Sequence, residues 1–350
     1  MDQSESAYQV YLKTNKLLPG SRLEADIVDK GLTAKSPPTP YDEACKILKI
    51  ALEKGANLWN GGQFYGPQNA SSLQLLNHYF TLHPSDAKRV VLSMKGCFNH
   101  PAYISEGPPG PDCSPKGIKT SIEKCLEVLG GKVFIDIFEP ARLDPNVSVE
   151  DTMETLSEYV KAGKIGGIGL SEVNTTTIRR AHAIYPLSAV EIEMSLFTIE
   201  PLTNGILDTC AELNIPVVAY SPLSRGWLTG QINRLDDIPQ NFGRLYPRFH
   251  ADAFEGNLKL VQAIGNVARK KGCSLPQVAL AWVIAMGKGK SQGRPIVVPI
   301  PGCKSVDRVE ENLTSVGLDE ADLNELEKIL GEIIVCGDRY GEPLKKYMYM

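Results

Sequence analysis

The sequence lacks long apolar runs, and it has no surplus of positive charge. No stretch approaches the ~20 apolar residues that cross a bilayer, and the N-terminal segment lacks the basic start and apolar run of a signal peptide. We therefore expect a soluble protein of the cytoplasm, with the nucleus also open. The 37 Lys and Arg residues against 41 Asp and Glu give a formal net charge of -4, which leaves no basic excess for a phosphate backbone. Nucleic acids and membranes are therefore poor candidates as partners, and the oligomeric state stays open.

The chain also lacks the spacing patterns of disulfide, metal and dinucleotide motifs. Its 8 cysteines are scattered without a CxxC pair or a histidine at ligand spacing, which favours reduced thiols and predicts no metal site. No GxGxxG follows a strand, and GCKS at 302–305 lacks the upstream glycine of a phosphate-binding loop. A dinucleotide would have to be held in another way. The 5 histidines lie in predicted helices or long loops, so we expect no catalytic histidine.

What the chain has is a regular alternation of short apolar runs and amphipathic stretches of helical period. YDEACKILKIALEKG leads into the strand NLW, and a helix with Ser114 as N-cap and Pro115 in its first position leads into VFIDIF. About eight such units in about 300 residues favour a (β/α)8 TIM barrel, with an open doubly wound sheet as the alternative. We predict a single barrel domain over 1–350, with an N-terminal extension at 1–24 and a C-terminal helix and tail at 319–350.

Two predicted connections are unusually long. They follow the third and the seventh strands, which in a barrel places both on the C-terminal face, where sites are built. The tail at 336–350 has two possible placements: it covers the same rim, or it hangs free.

Tyr65 follows the second predicted strand by a few residues, in NGGQFYG, and Lys95 follows the third, in VVLSMK. Adjacent strand ends bring both side chains to one rim. A Lys ammonium about 4 Å from a phenol, at an effective dielectric near 20, stabilises the phenolate by roughly 4 kcal/mol and lowers the Tyr pKa from about 10 to about 7. Such a Tyr serves as a general acid. Taken singly, each residue has an ordinary structural explanation, and we interpret Asp136 in FIDIF as a buried structural carboxylate.

The last strand leads into PIPGCKSVDRVEENL, in which Ser305 is a candidate N-cap. Lys304 and Arg308 then lie at a helix start, where free N–H groups favour an anion. The pair suits a phosphate monoester, and a solvated helix face is an equal alternative.

Three segments carry a family resemblance: GLSEVNTTTIRRAHAIYPLSAVEIEMSLF, VVAYSPLSRGWLTG and VVPIPGCKSVDRVEENL. Over roughly 40–318 the chain resembles the aldo-keto reductases, which are NADPH-dependent barrel oxidoreductases. Through LWNGGQFYG, FIDIFEPAR and GLSE it is most similar to the fungal pyridoxal reductases. The resemblance implies NADPH as cofactor and a small-molecule aldehyde as substrate. It also implies cofactor-binding roles: Ser171, Glu191 and Tyr220 at the nicotinamide, Ser221, Leu223 and Arg225 along the pyrophosphate, Lys304 and Arg308 at the 2′-phosphate, and Glu311 and Asn312 at the adenine.

The family's tetrad of Asp, Tyr, Lys and His is half conserved. The resemblance assigns Tyr65 and Lys95 to it, whereas Asn60 stands at the Asp position and Ala141 at the His position. Asn60 is expected to orient the Lys95 ammonium through its amide oxygen, and without a carboxylate there Lys95 should keep more of its field on Tyr65. A further departure lies in the first strand, where Asp26, Val28, Asp29 and Lys30 replace a glycine-rich segment.

Our leading hypothesis is NADPH-dependent reduction of pyridoxal to pyridoxine, with Tyr65 as proton donor and Lys95 and Asn60 in support. The alternative is an NADPH-binding regulatory or sensing subunit with weak or no turnover, favoured by Asn60 and Ala141. A barrel hydrolase or aldolase finds no support in the paired cations of the last helix.

Overall fold

A computed structural model describes residues 27–28, 30–33, 38–67, 69–99, 109–238, 246–287 and 293–350. The predicted N-terminal extension, together with Asp26 and Asp29, lies outside the described residues. Ten strands are present: β1 (Ile27–Val28), β2 (Leu58–Gly62), β3 (Val91–Gly96), β4 (Phe98–Asn99), β5 (Gly110–Pro111), β6 (Ile137–Pro140), β7 (Ile168–Ser171), β8 (Leu187–Glu193), β9 (Val217–Tyr220) and β10 (Val297–Ile300).

Helices alternate with these strands along the described chain. They are α1 (Lys30–Thr33), α2 (Tyr41–Glu53), α3 (Ser72–Leu82), α4 (Pro115–Leu129), α5 (Val149–Lys161), α6 (Thr175–Ile184), α7 (Ile206–Glu212), α8 (Ala251–Lys271), α9 (Leu275–Met286), α10 (Val306–Leu313), α11 (Glu320–Glu332) and α12 (Glu342–Lys345). Among the described residues, no helix is both long and apolar enough to cross a membrane.

Eight of these strands form one parallel sheet, in the order β1-β2-β3-β6-β7-β8-β9-β10. The predicted (β/α)8 TIM barrel is therefore confirmed, and β4 and β5 form a small antiparallel hairpin in the loop after β3. The predicted helix start at Ser114 is also correct, because its hydroxyl accepts the Gly117 N–H at 3.1 Å. Ser305 caps α10 in the same way through the Arg308 N–H at 3.4 Å.

One strand boundary differs from the sequence prediction. VFIDIF begins its regular pairing at Ile137 rather than at Val133, because the Asp136 carboxylate accepts the Leu92 backbone N–H at 2.9 Å and replaces a ladder bond. Asp136 thus has the structural role that the pattern indicated, at the start of β6 and remote from the strand end. Lys95 lies within β3, one residue before its end, rather than after it.

The side-chain alternation of the strands builds a polar layer above an apolar one. One buried cluster takes Leu58, Val91, Ile137, Ala189, Val218, Val298 and Ile300 from successive strands. Since strand side chains alternate with a period of two, residues two or four positions later point to the same face. Those residues are Asn60, Lys95, Glu139, Glu191 and Tyr220. The register pairs Gly62 with Lys95, and Lys95 with Glu139, so the carboxyl ends of neighbouring strands lie level.

The C-terminal tail covers the rim of the barrel, the first of its two possible placements. The Met350 N–H donates to the Glu172 carbonyl at 3.1 Å, and the Asn174 N–H donates to the Met350 carbonyl at 2.9 Å. The final residue is thereby held on the loop that follows β7.

Candidate active site

Lys95 is the centre of a buried hydrogen-bond network at the carboxyl ends of the strands. Its ammonium donates to Asn60 Oδ1 at 3.0 Å and to Glu139 Oε1 at 2.8 Å, and it also pairs with Glu191 Oε2. The Asn60 amide in turn donates to Glu191 Oε2 at 2.8 Å. Asn60 therefore orients the ammonium as predicted, and four strands converge on one cation.

Two carboxylates share this one cation, which decides the charge of the network. Burial opposes the charge of Lys95, but the carboxylates of Glu139 and Glu191 outweigh it and raise the pKa of Lys95 above its usual value. Burial, followed by repulsion from Glu139, raises the pKa of Glu191 to about 8 against the opposing pull of Lys95. At neutral pH Glu191 therefore tends to keep its proton, which reduces the negative charge around Lys95.

This network corrects one expectation from the sequence. The Asp-to-Asn change at Asn60 was expected to leave Lys95 with more of its field on Tyr65. That reasoning is wrong, because Glu139 and Glu191 bring carboxylate charge to Lys95 from other strands. The positive field of Lys95 on Tyr65 is therefore stronger while Glu191 keeps its proton.

Tyr65 lies three residues after β2, and only 7% of its surface is exposed. The ionised form of Tyr65 interacts with Lys95, so the phenol and the ammonium lie within electrostatic reach of each other, as the strand order predicted. The Tyr65 ring packs on the backbone of Gly62, where a Cβ would come within 2.9 Å of three ring carbons. Its carbonyl accepts the Thr33 hydroxyl at 3.0 Å and the Ser72 N–H at 2.9 Å.

Arg142 provides a second cation on the same rim. It follows the buried Ala141, whose N–H donates to the Gly96 carbonyl at 3.0 Å. The guanidinium Nη1 donates to Ser171 Oγ at 3.2 Å, and Nη2 donates to the Tyr220 hydroxyl at 3.4 Å. Arg142 thus forms hydrogen bonds to both predicted nicotinamide residues, Ser171 and Tyr220.

Three further predicted cofactor residues follow β9, and one of them, Arg225, is already paired. Ser221 and Leu223 follow β9, and the Ser221 carbonyl accepts the Ser224 N–H at 2.8 Å. Arg225 makes two 2.7 Å bonds to the carboxylate of Glu193, and its guanidinium lies between the rings of Tyr246 and Tyr340 at 4.5 and 4.6 Å.

The tail reaches this part of the site through Arg339. Its guanidinium makes bonds of 3.0 and 2.9 Å to the two carboxylate oxygens of Glu172, and both side chains are buried. The Tyr220 hydroxyl donates to the same carboxylate at 2.9 Å and also contacts the Tyr340 hydroxyl at 3.0 Å. Burial opposes the charge of Glu172, but Arg339 and then Arg142 hold its pKa below the usual value.

The predicted phosphate segment lies at the start of α10, the helix that follows the last strand, β10. Lys304 is exposed, and Arg308 pairs with Glu311 one turn along the helix. A cavity of about 460 Å³ opens here, lined by Ser274, Gln277, Ser305, Asp307, Arg308 and Glu311. Asn312 is buried beside it, and within the described chain its amide oxygen has no hydrogen-bond partner.

The histidines and cysteines lie elsewhere. His182 accepts the Leu187 N–H at 3.2 Å, and His78 and His83 pack on tyrosine rings. His250 precedes α8, and His100 lies outside the described residues. All eight cysteines are free, and the described residues contain no group of side chains able to hold a metal ion.

Sequence reasoning missed three residues of the site: Glu139, Arg142 and Arg339. The spacing of β6 contained a signal for the first, since Glu139 lies two residues after the inward-facing Ile137. Neither of the arginines had a local signal, because each reaches partners on other elements through a long side chain.

A barrel whose strand ends join a buried Lys to a Tyr, with a phosphate-type segment after the last strand, defines a class of nucleotide-dependent oxidoreductase. The comparisons agree with this class. The model of the aldo/keto reductase family matches residues 30–331, and the chain belongs to that family.

The chain is 38% identical over 325 residues to "Probable pyridoxal reductase 2" of Schizosaccharomyces pombe, covering 90% of this chain and 93% of the relative. It is 33% identical over 315 residues to an aldo-keto reductase of the same yeast whose name specifies NADP(+), covering 89% of each. Among solved structures, a glycerol dehydrogenase from Gluconobacter oxydans matches with a TM-score of 0.75 at 20% identity, over 90% of this chain and 93% of that one. This last likeness concerns the fold.

Proposed function

We propose that this protein reduces the aldehyde of pyridoxal to the alcohol, with NADPH as hydride donor and Tyr65 as general acid. The observation that carries the proposal is the buried Lys95 within electrostatic reach of Tyr65, at the carboxyl ends of β2 and β3. The likeness to a pyridoxal reductase over most of both chains supports the substrate.

Tyr65 donates a proton to the carbonyl oxygen as that oxygen gains negative charge. The nearby Lys95 ammonium favours the phenolate that remains, which lowers the cost of the transfer. Asn60, Glu139 and Glu191 hold the ammonium in place with three hydrogen bonds. Tyr65 then recovers its proton from solvent, so that aldehyde, NADPH and one proton are converted to alcohol and NADP⁺.

NADPH, when bound, supplies the hydride. The described residues fit its two ends. The Ser171 and Tyr220 side chains both bind Arg142, whose charge interacts with Tyr65, and Lys304 with Arg308 provides two cations at a helix start for the 2′-phosphate. The partnerless amide oxygen of Asn312 can accept an amino group such as that of adenine. A relative named for NADP(+) supports the same choice.

We expect the substrate side of the site to admit a substituted ring. Ala141 presents only a methyl group beside Gly96 at the end of β3. The 3-oxygen of pyridoxal lies next to its aldehyde, so a group that binds this oxygen also positions the carbonyl.

The experiment is a panel of aldehydes with purified protein, followed by the loss of NADPH absorbance. We expect pyridoxal to be reduced faster than pyridoxal phosphate and simple aldehydes, with NADPH used in preference to NADH. Equal and slow oxidation with every aldehyde would contradict the proposed substrate, and no oxidation at all would contradict the proposed reaction.

A second candidate function is a regulatory subunit that binds NADPH with little turnover. It is favoured by two ion pairs within the protein, that of Arg225 with Glu193 and that of Glu172 with Arg339. Tight NADPH binding in titrations of protein fluorescence, together with no oxidation across the aldehyde panel, would establish this alternative.

A further inference from the structure

The Arg142 guanidinium combines positive charge with unused hydrogen-bond donors at the mouth of the barrel. Of its five N–H groups, Nη1 uses two on the Ala141 carbonyl at 2.5 Å and Ser171 Oγ at 3.2 Å, and Nη2 uses one on Tyr220 at 3.4 Å. Within the described chain, the Nε–H and one Nη2–H have no protein acceptor. These two donors can form a planar pair of the kind that binds an oxyanion.

No carboxylate of the described residues contacts this cation directly, and Glu172, with which its charge interacts, is already bound by Arg339. Within the described parts of the chain, no Asp or Glu oxygen lies within 4.0 Å of Arg142, whereas Lys95, Arg225 and Arg339 each have a buried glutamate partner. Its three partners are neutral oxygens, which supply hydrogen bonds but no charge. A partly buried arginine without a counter-ion favours an anion at its free edge.

The position of Arg142 relates it to the reacting centre. Its charge interacts with both Tyr65 and Tyr220, and its Cζ lies 5.9 Å from the centre of the Tyr340 ring. Arg142 therefore lies on the same rim as Tyr65, within electrostatic reach of an aldehyde bound there.

We propose that Arg142 binds an anionic oxygen adjacent to the aldehyde of the substrate, so that the site selects ortho-oxido aromatic aldehydes. The ortho-oxido group of pyridoxal and that of 2-hydroxybenzaldehyde share this chemistry. This inference rests on the proposed aldehyde reduction. Arg142 keeps its proton throughout, and its two free donors hold the phenolate oxygen while Tyr65 protonates the carbonyl oxygen.

The experiment compares 2-hydroxybenzaldehyde with 2-methoxybenzaldehyde, which keeps the ortho oxygen but removes its charge. For the wild-type protein we expect kcat/KM to favour the hydroxy compound by at least about tenfold. The preference should grow as rising pH ionises the phenol, and since both substrates meet the same enzyme, the ratio cancels pH effects on the protein. A wild-type ratio near one at every pH would overturn the inference while leaving the reduction itself intact.

Two variants locate the preference. Arg142→Met should bring the ratio close to one, mainly by raising KM for the hydroxy compound, and Arg142→Lys should retain part of it as a single point charge. The NADPH Kd, measured by fluorescence titration, should change less than about threefold. A large rise in the NADPH Kd with an unchanged substrate ratio would assign Arg142 to the cofactor and overturn the inference. If Arg142→Met fails to fold, the lysine variant and the wild-type pH series still decide it.

Discussion

Lys95 and Glu139 stand opposite each other on β3 and β6, and the ammonium donates to the carboxylate at 2.8 Å. The carboxylate that Asn60 lacks on β2 is thus present on the other neighbour of β3. The polar layer keeps an acid beside the lysine although its position along the chain has changed.

This relationship predicts the alkaline behaviour of the enzyme. Because burial and repulsion from Glu139 raise the pKa of Glu191 to about 8, the network gains negative charge near that pH and Tyr65 becomes a weaker acid. We expect kcat for aldehyde reduction to fall above about that pH. Glu191→Gln should remove this fall, because it removes the titrating group, and Glu139→Gln should move the fall to lower pH, because it removes the repulsion but not the burial. A falling limb that persists unchanged in both variants would assign it to another group.

The same pair makes the stability of the fold depend on pH. The folded-state pKa of Glu191 is raised from 4.5 to about 8, so its proton contributes stability at low pH that is lost as the pH rises through that interval. Relative to wild type, Glu191→Gln should therefore gain thermal stability between those pH values. Melting temperatures of both proteins across the interval provide the measurement, and a constant difference would show that Glu191 is ionised throughout.

Gly62 is predicted to place the Tyr65 ring. A Cβ there would lie 2.9 Å from ring carbons, so Gly62→Ala should displace the phenol and reduce kcat by about 10²-fold. Gly61→Ala is the matched control, since its Cβ would meet the flexible end of Met94 at 2.8 Å and leave Tyr65 untouched. Equal activity losses in the two variants would indicate a general effect of strand distortion instead.

The pair of Arg339 and Glu172 should tie the tail to the barrel. Arg339→Met leaves the Glu172 carboxylate buried without its partner, and we expect the free energy of unfolding to fall by about 3–5 kcal/mol. Adding Glu172→Gln should recover part of that loss. Lys345→Met removes an exposed pair with Asp338 in the same tail and should change stability far less, because solvent screens this pair. Denaturant unfolding measures all of these, and equal effects of Arg339→Met and Lys345→Met would contradict the account.

The barrel and the Tyr65–Lys95 pair were predictable because both follow from periodicity. Strand and helix runs have local signatures, and strand order then brings neighbouring strand ends together. The segment FIDIFE contains two acidic residues, Asp136 and Glu139, and the local sequence does not indicate which of them reaches Lys95. Strand alternation places Glu139, not Asp136, at the level of Lys95.

The tail contact lay beyond any local pattern. Glu172 and Arg339 are 167 residues apart, and nothing near either residue indicates the other. Likewise, the hydrogen bonds and ring contacts of Arg225 come from Glu193 and from tyrosines of two distant loops. Its role at the pyrophosphate stays a prediction.

The central claim is that Tyr65 protonates the aldehyde oxygen during NADPH-dependent reduction of pyridoxal. The most direct measurement is the rate of NADPH oxidation by Tyr65→Phe with saturating pyridoxal, together with the NADPH Kd. We expect the rate to fall by about 10²–10⁴-fold with the Kd within about threefold of wild type, because phenylalanine keeps the packing on Gly62 and removes only the acid. Full activity of Tyr65→Phe would contradict the account.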